Sequence, residues 1–119
     1  MEKNVRPIVH VQDVRATIEW YQRIGFTVVA TYDDGDGELT FAVVSFGSGQ
    51  VMFDCGGRRT AHKRREVDLY LDMDNVDEVY QRLENQVEMV EGLHDTFYGA
   101  REFIIRDLNG FWITFGQSI

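Results

Sequence analysis

The sequence has one cysteine, Cys55, and one proline, Pro7, in 119 residues. A single cysteine excludes an intrachain disulfide and fits a reducing compartment, so a cytoplasmic location is expected. No stretch approaches the ~20 apolar residues that a membrane span needs. Met1 to Pro7 carries no apolar run behind its charges, so neither a leader nor membrane association is expected. Bases are also scarce, 12 against 20 acids, for a net charge of −8. Five of those 12 bases (Arg58, Arg59, Lys63, Arg64 and Arg65) crowd into one short run, leaving 7 for the rest of the chain. So acidic a chain repels phosphate backbones, which argues against nucleic acid as a partner. What is present is a 44% hydrophobic and 27% charged composition with 15 aromatic residues, enough to bury a core in one domain. A neutral or cationic small molecule suits this charge balance.

The basic run follows Gly56-Gly57 and reads as a solvated connector over 57–66. It divides the chain into halves that share one pattern. Pro7 to Val11 is a short strand, with proline near its start where a missing N–H is tolerable. Asp13 caps a helix through Ile24, with Val14, Ile18 and Tyr21 at helical spacing and Gly25 as its stop. Strands follow over Phe26 to Tyr32, Leu39 to Phe46 and Gln50 to Cys55, separated by an acidic turn and by Gly47-Ser48-Gly49. In the second half Val67 to Met73 alternates as a strand. Asn75 with Glu78 reads as a capping box for a helix striped by Val76, Val79, Tyr80 and Leu83. Strands follow over Val87 to Val90, Arg101 to Arg106 and Phe111 to Gly116. Glu91 to Ala100 is a looser segment, and Asn109-Gly110 a hairpin turn.

An offset of 62 superposes the halves: Asp13 on Asn75, Val14 on Val76, Phe41 on Phe103 and Phe53 on Phe115. The fold expected is α+β, two βαβββ units (about 5–56 and 67–117) forming a curved mixed sheet around a cleft. A unit this small cannot close a core alone.

Strand alternation assigns faces. Val9, Val11, Val51, Phe53, Val67, Leu69, Leu71, Phe103, Ile105, Ile113 and Phe115 should pack under the helices. Arg6, Ile8 and His10, then Gln50, Met52 and Asp54, share the other face in the first unit. In the second it carries Asp68, Tyr70, Asp72, Glu102, Ile104, Arg106, Trp112, Thr114 and Gly116. A mere core would not mix acids, bases and aromatics, because unpaired buried charges are costly. This face is therefore read as a wet binding surface. His10 reads as a hydrogen-bonding wall residue, His62 as exposed. His94, Asp95, Phe97 and Tyr98 lie on the looser segment, which would cover the cleft. Cys55 has no paired histidine and no nucleophilic role is assigned to it.

Several segments carry a family likeness. In the first half they are Pro7-Ile8-Val9-His10-Val11-Gln12-Asp13-Val14, Ile18-Glu19-Trp20-Tyr21 and Ile24-Gly25-Phe26. In the second they are Asn75-Val76-Asp77-Glu78-Val79-Tyr80, Tyr98-Gly99-Ala100-Arg101-Glu102-Phe103 and Asp107-Leu108-Asn109-Gly110. Together these resemble the glyoxalase, bleomycin-resistance and extradiol-dioxygenase superfamily (vicinal oxygen chelate proteins), most closely its bleomycin-resistance-like branch. The resemblance places the metal-ligand positions of the family's enzymes at Arg6, Met52, Asp68 and Thr114. An arginine will not ligate, and a thioether is a soft donor poorly matched to Zn, Fe(II) or Mn. One carboxylate does not make the roughly three protein ligands a catalytic ion needs. No metal, cofactor or catalytic residue is therefore expected. Arg6 and Asp68 are read as a structural ion pair in the vacant metal site, with ligand contact as the other reading.

The function expected is metal-free binding of a small cationic or aromatic compound, such as an antibiotic. The binding residues would be His10, Gln50, Met52, Asp54, Asp68, Tyr70, Asp72, Phe97, Trp112 and Thr114, and the relatives imply a homodimer. The alternatives are a metal-dependent lyase, isomerase or dioxygenase of the same superfamily, with ligands such as His10, Asp54 and Asp68, and an interaction module with a vestigial cleft.

Overall fold

A computed structural model of the chain describes residues 3–57 and 65–119, so His62 and the basic run up to Arg64 lie outside the described residues. The chain divides into two compact units, residues 1–59 and 60–119. The first is β1 (Ile8–Val11), α1 (Val14–Arg23), β2 (Thr27–Asp33), β3 (Leu39–Phe46) and β4 (Gly49–Cys55). The second is β5 (Asp68–Asp72), α2 (Val76–Leu83), β6 (Glu88–Asp95), β7 (Ala100–Arg106) and β8 (Trp112–Ser118). Each is a βαβββ unit with its own four-stranded mixed sheet, ordered β1-β4-β3-β2 and β5-β8-β7-β6. The outer strand β1 or β5 is parallel to its neighbour and the other pairs are antiparallel.

The repeat extends to the strand register. Ile8 pairs with Met52, and Tyr70 with Thr114, each displaced by 62. The third strand departs from this offset. Phe41 faces Asp54, whereas Glu102 faces Gly116, so Phe41 corresponds to Glu102 and the offset there is 61. The expected match of Phe41 with Phe103 is corrected accordingly. Its cause is one extra residue in the second hairpin. Ser45 and Gln50 flank four residues, while their counterparts Arg106 and Trp112 flank five.

The helices begin differently. Asp13 accepts a hydrogen bond from the Ala16 backbone at 2.9 Å, as an N-cap should. Asn75 makes no side-chain cap bond, contrary to the expected capping box. Gln117 reaches from β8 instead, its Oε1 accepting from the Val76 N–H at 2.9 Å. A tertiary contact thus satisfies the α2 terminus and ties it to the sheet. Behind α1, Gly25 has φ of 115°, a left-handed stop that only glycine adopts without strain.

Beneath each helix lies an aromatic core. Tyr21 packs on Phe53 and Phe26 with ring centroids 4.8 and 5.1 Å away. In the second unit Phe103 stacks on Phe115 at 4.5 Å and takes the edge of Tyr80 at 5.2 Å. Val9, Val11, Val51, Phe53, Leu71, Phe103, Ile105, Ile113 and Phe115 are all buried. Val67 is exposed and Leu69 half-buried; Val67 precedes β5, which begins at Asp68.

Two loops differ from expectation. Half of the looser segment belongs to β6, which runs to Asp95 through register shifts on either side of Glu91. The β7–β8 connection is a five-residue loop organised by buried Asp107, whose Oδ1 accepts from Asn109 and Phe111 N–H groups, both at 2.8 Å. Arg65, expected in the solvated connector, is half-buried. Its guanidinium lies 4.4 Å from the Phe111 ring centroid and donates to the Asn109 carbonyl at 3.3 Å.

Candidate functional site

With the alternate residues of each sheet buried under a helix, the intervening ones define its other face. In the first unit that face carries exposed His10 and half-buried Met52 and Asp54. His10 is in register with Asp54, and its Nδ1 lies 3.7 Å from Asp54 Oδ2. Both side chains are substantially exposed, so this contact is worth little as a salt bridge. Arg6 donates to Gln50 Oε1 at 3.2 Å. The two line an open pocket of about 380 Å³ with Lys3, Asn4, Val5, Ser48 and Gly49. This pocket holds one of the expected binding residues, Gln50, and its charge is cationic. Arg6 and Asp68 are both exposed, each on its own unit.

The second unit has the more organised face. Tyr70 extends from β5 across β8 to β7, where its hydroxyl donates to Glu102 Oε2 at 2.7 Å. Tyr98, on the β6–β7 turn, donates to Glu102 Oε1, also at 2.7 Å. Glu102 is only 3% exposed, and these two phenols satisfy a carboxylate that would otherwise be expensive to bury. Tyr70 can cross β8 because Gly116 stands below it. A Cβ there would come within 2.0 Å of the hydroxyl and 2.5 Å of the ring carbon that bears it. Asp72, Gly116, Glu102 and His94 form one cross-strand row. His94 is half-buried, with Nδ1 2.8 Å from the Gly92 carbonyl and Nε2 3.7 Å from Glu91. Asp68 and Asp72 are exposed, while Trp112 and Thr114 are half-buried beside them on β8.

Partial burial, then the bond to Glu102, pushes the Tyr70 phenol above its ordinary value. For Tyr98 the Glu102 bond is the larger cause and burial the smaller. Both hold the protonated phenol. The associated stability is therefore complete below the ordinary tyrosine value of about 10 and is lost as the pH rises beyond it. In a spectrophotometric titration of the phenols, Tyr70→Phe should reduce the amplitude of the late-ionising fraction. A late-ionising fraction of unchanged amplitude would overturn this assignment.

Alternation pointed to Tyr70 but missed Tyr98 and read Glu102 as exposed. The signal that could have found the group is Gly116, a glycine inside a strand where alternation calls for a side chain, which marks a close approach. Phe97 sits apart. It is 99% exposed and touches Tyr98 edge-on at 5.1 Å, so it covers nothing within its own unit. Arg101, on the opposite side of β7 from Glu102, is engaged by Asp95 at 2.7 Å and Asp77 at 3.2 Å. That contact with Arg101 lowers the Asp95 pKa below the usual carboxylate range.

Comparison with known proteins places this architecture. The family model of the Glyoxalase/Bleomycin resistance protein/Dioxygenase superfamily matches residues 5–115. The chain belongs to this superfamily. Among solved structures, TioX from Micromonospora sp. ML1 is similar at 22% identity and a TM-score of 0.77, over 98% of this chain and 97% of that one. A bleomycin-binding protein complexed with bleomycin matches at 16% identity and 0.72, over 99% and 100%. A protein of unknown function from Agrobacterium tumefaciens str. C58 matches at 25% and 0.76, over 100% and 96%. No curated protein matches by sequence.

For a glyoxalase-superfamily chain the metal positions need a test against the side chains present. Arg6 spends its guanidinium on Gln50. Met52 offers only a thioether, and its N–H is bonded to the Pro7 carbonyl at 2.9 Å. Among the described residues no three His, Cys, Asp or Glu side chains gather where they could hold an ion. The donor set does not fit a divalent metal, and no step is derived through one. No helix among the described residues is long and apolar enough to cross a membrane.

Proposed function

We propose that this superfamily member binds a small aromatic or cationic molecule without a metal. The observation that carries the reading is the division of each sheet. One side is closed by valine, isoleucine and phenylalanine under a helix. The other keeps Asp54, Asp68, Tyr70, Asp72 and Trp112 at least partly open to water. A structural face has no need to expose aromatics beside acids, whereas a cationic ring system is held by such a set through charge and ring-face attraction. His10, Met52 and Thr114 would wall the site, and Phe97 would stack on the ligand. Bleomycin, bound by one structural relative, belongs in the first ligand screen.

Trp112→Ala and Asp54→Ala should each weaken binding of an aromatic cation while the fold persists, the tryptophan by about tenfold. Raised salt should affect an Asp-dominated site more than a stacking one. Titration calorimetry measures both effects. Normal binding by both variants would remove these residues from the site. Stoichiometric divalent metal in protein purified without chelator would instead favour the superfamily's lyase, isomerase or dioxygenase chemistry.

The interaction-module reading draws on Phe97, whose near-complete exposure suits a partner contact. We also propose a homodimer in the cytoplasm. A dimeric mass by light scattering at micromolar concentration is the expected result, and a monomeric mass would refute it.

A further inference from the structure

We propose that Tyr70, Tyr98 and Glu102 form an acceptor-only recognition site for cations that carry N–H groups, of the amidinium or primary-ammonium class, borne on an aromatic ring. The inference rests on the binding function proposed above and specifies the chemistry of its ligand.

A phenol has one proton to donate. Tyr70 gives its proton to Glu102 Oε2 and Tyr98 gives its own to Oε1, each over 2.7 Å. Both protons are committed, and Tyr98 already accepts a hydrogen bond from the Thr96 side chain, so what the two oxygens have left to offer is their remaining lone pairs. The buried carboxylate polarises both phenols through short, charge-assisted bonds, which strengthens those lone pairs as acceptors. Glu102 itself is sealed, and its charge reaches a ligand only through the tyrosines.

The rest of the surroundings agrees. Tyr70 is 50% exposed and Tyr98 60%, so both residues present open surface beside the sealed carboxylate. Phe97 extends the aromatic surface beside Tyr98. Asp72 adds an exposed carboxylate on the strand of Tyr70. The neighbouring guanidinium, Arg101, is already held by Asp95 and Asp77. A carboxylate ligand would meet two phenol oxygens that have no proton left to give. A quaternary ammonium would meet the rings but leave the phenol oxygens unused. An amidinium satisfies both features.

Titration calorimetry of the full chain with three probes tests this: benzamidinium, benzyltrimethylammonium and benzoate. Benzamidinium should bind, benzyltrimethylammonium should bind at least fivefold more weakly, and benzoate should not bind. Tyr98→Phe takes one donor from buried Glu102, so its fold is checked first by circular dichroism; the folded variant should bind benzamidinium about tenfold more weakly. It should leave benzyltrimethylammonium unchanged, and Tyr70→Phe should act in the same way. If the two cations bind equally and neither variant matters, the N–H site is wrong while the broader binding function stands. If neither cation binds, the broader reading falls and this inference with it.

Discussion

Replacing Phe103 with alanine should destabilise the protein by about 3–5 kcal/mol, the range for deleting a fully buried aromatic ring. Phe103 has no exposed surface and lies between two other rings, stacked on Phe115 at 4.5 Å and met edge-on by Tyr80 at 5.2 Å. Its removal leaves a cavity between sheet and α2 that the backbone is too tightly hydrogen-bonded to fill. The lost hydrophobic transfer and the cavity add together. The melting temperature should fall by roughly 10–20 °C. Phe97→Ala provides the control, since that ring is almost wholly exposed, and should change stability by no more than about 0.5 kcal/mol. Similar losses from both substitutions would show that the second unit is not held by this stack.

The same residue shows which parts of the fold are legible in the sequence. Phe103 and Ile105 alternate with Glu102 and Ile104, and this period of two assigned the buried face correctly. The first helix could be read because its signals are local. Asp13 stands three residues before the N–H it accepts, and Val14, Ile18 and Tyr21 recur at helical spacing. The start of α2 was read at the right residue, Asn75, but not its capping bond, because the side chain that supplies it, Gln117, lies 41 residues from Val76. β6 was cut short because its register shifts twice, which breaks the alternation that marks a strand.

The burial of Glu102 was not legible for a related reason. Glu102 alternates with Phe103 as an exposed acid should. It is buried because Tyr70, 32 residues away, crosses a glycine to cover it. Local pattern assigns a side chain to a face, but only tertiary neighbours decide whether that face is open at that point.

Asp107→Ala should cost about 2–5 kcal/mol, because one buried carboxylate oxygen serves two backbone donors and each orphaned N–H costs about 1–3 kcal/mol. Oδ1 accepts from Asn109 and Phe111 at 2.8 Å, while the Asp107 N–H bonds the Phe111 carbonyl at 2.9 Å. These bonds close the loop that holds the extra residue of the second hairpin, with Gly110 at φ 89° completing the turn. Arg65 rests on the same loop, through the carbonyls of Asn109 and Gly110 and the face of Phe111. Trp112 follows directly and opens β8. Loss of the side chain should therefore loosen the start of the second unit and the tryptophan of the proposed site together. Asp107→Asn retains an amide oxygen as acceptor and should lose less than half as much. Chemical denaturation monitored by tryptophan fluorescence measures both. If Asp107→Ala and Asp107→Asn are equally destabilising, the carboxylate acts through its charge and not as the acceptor that closes the loop.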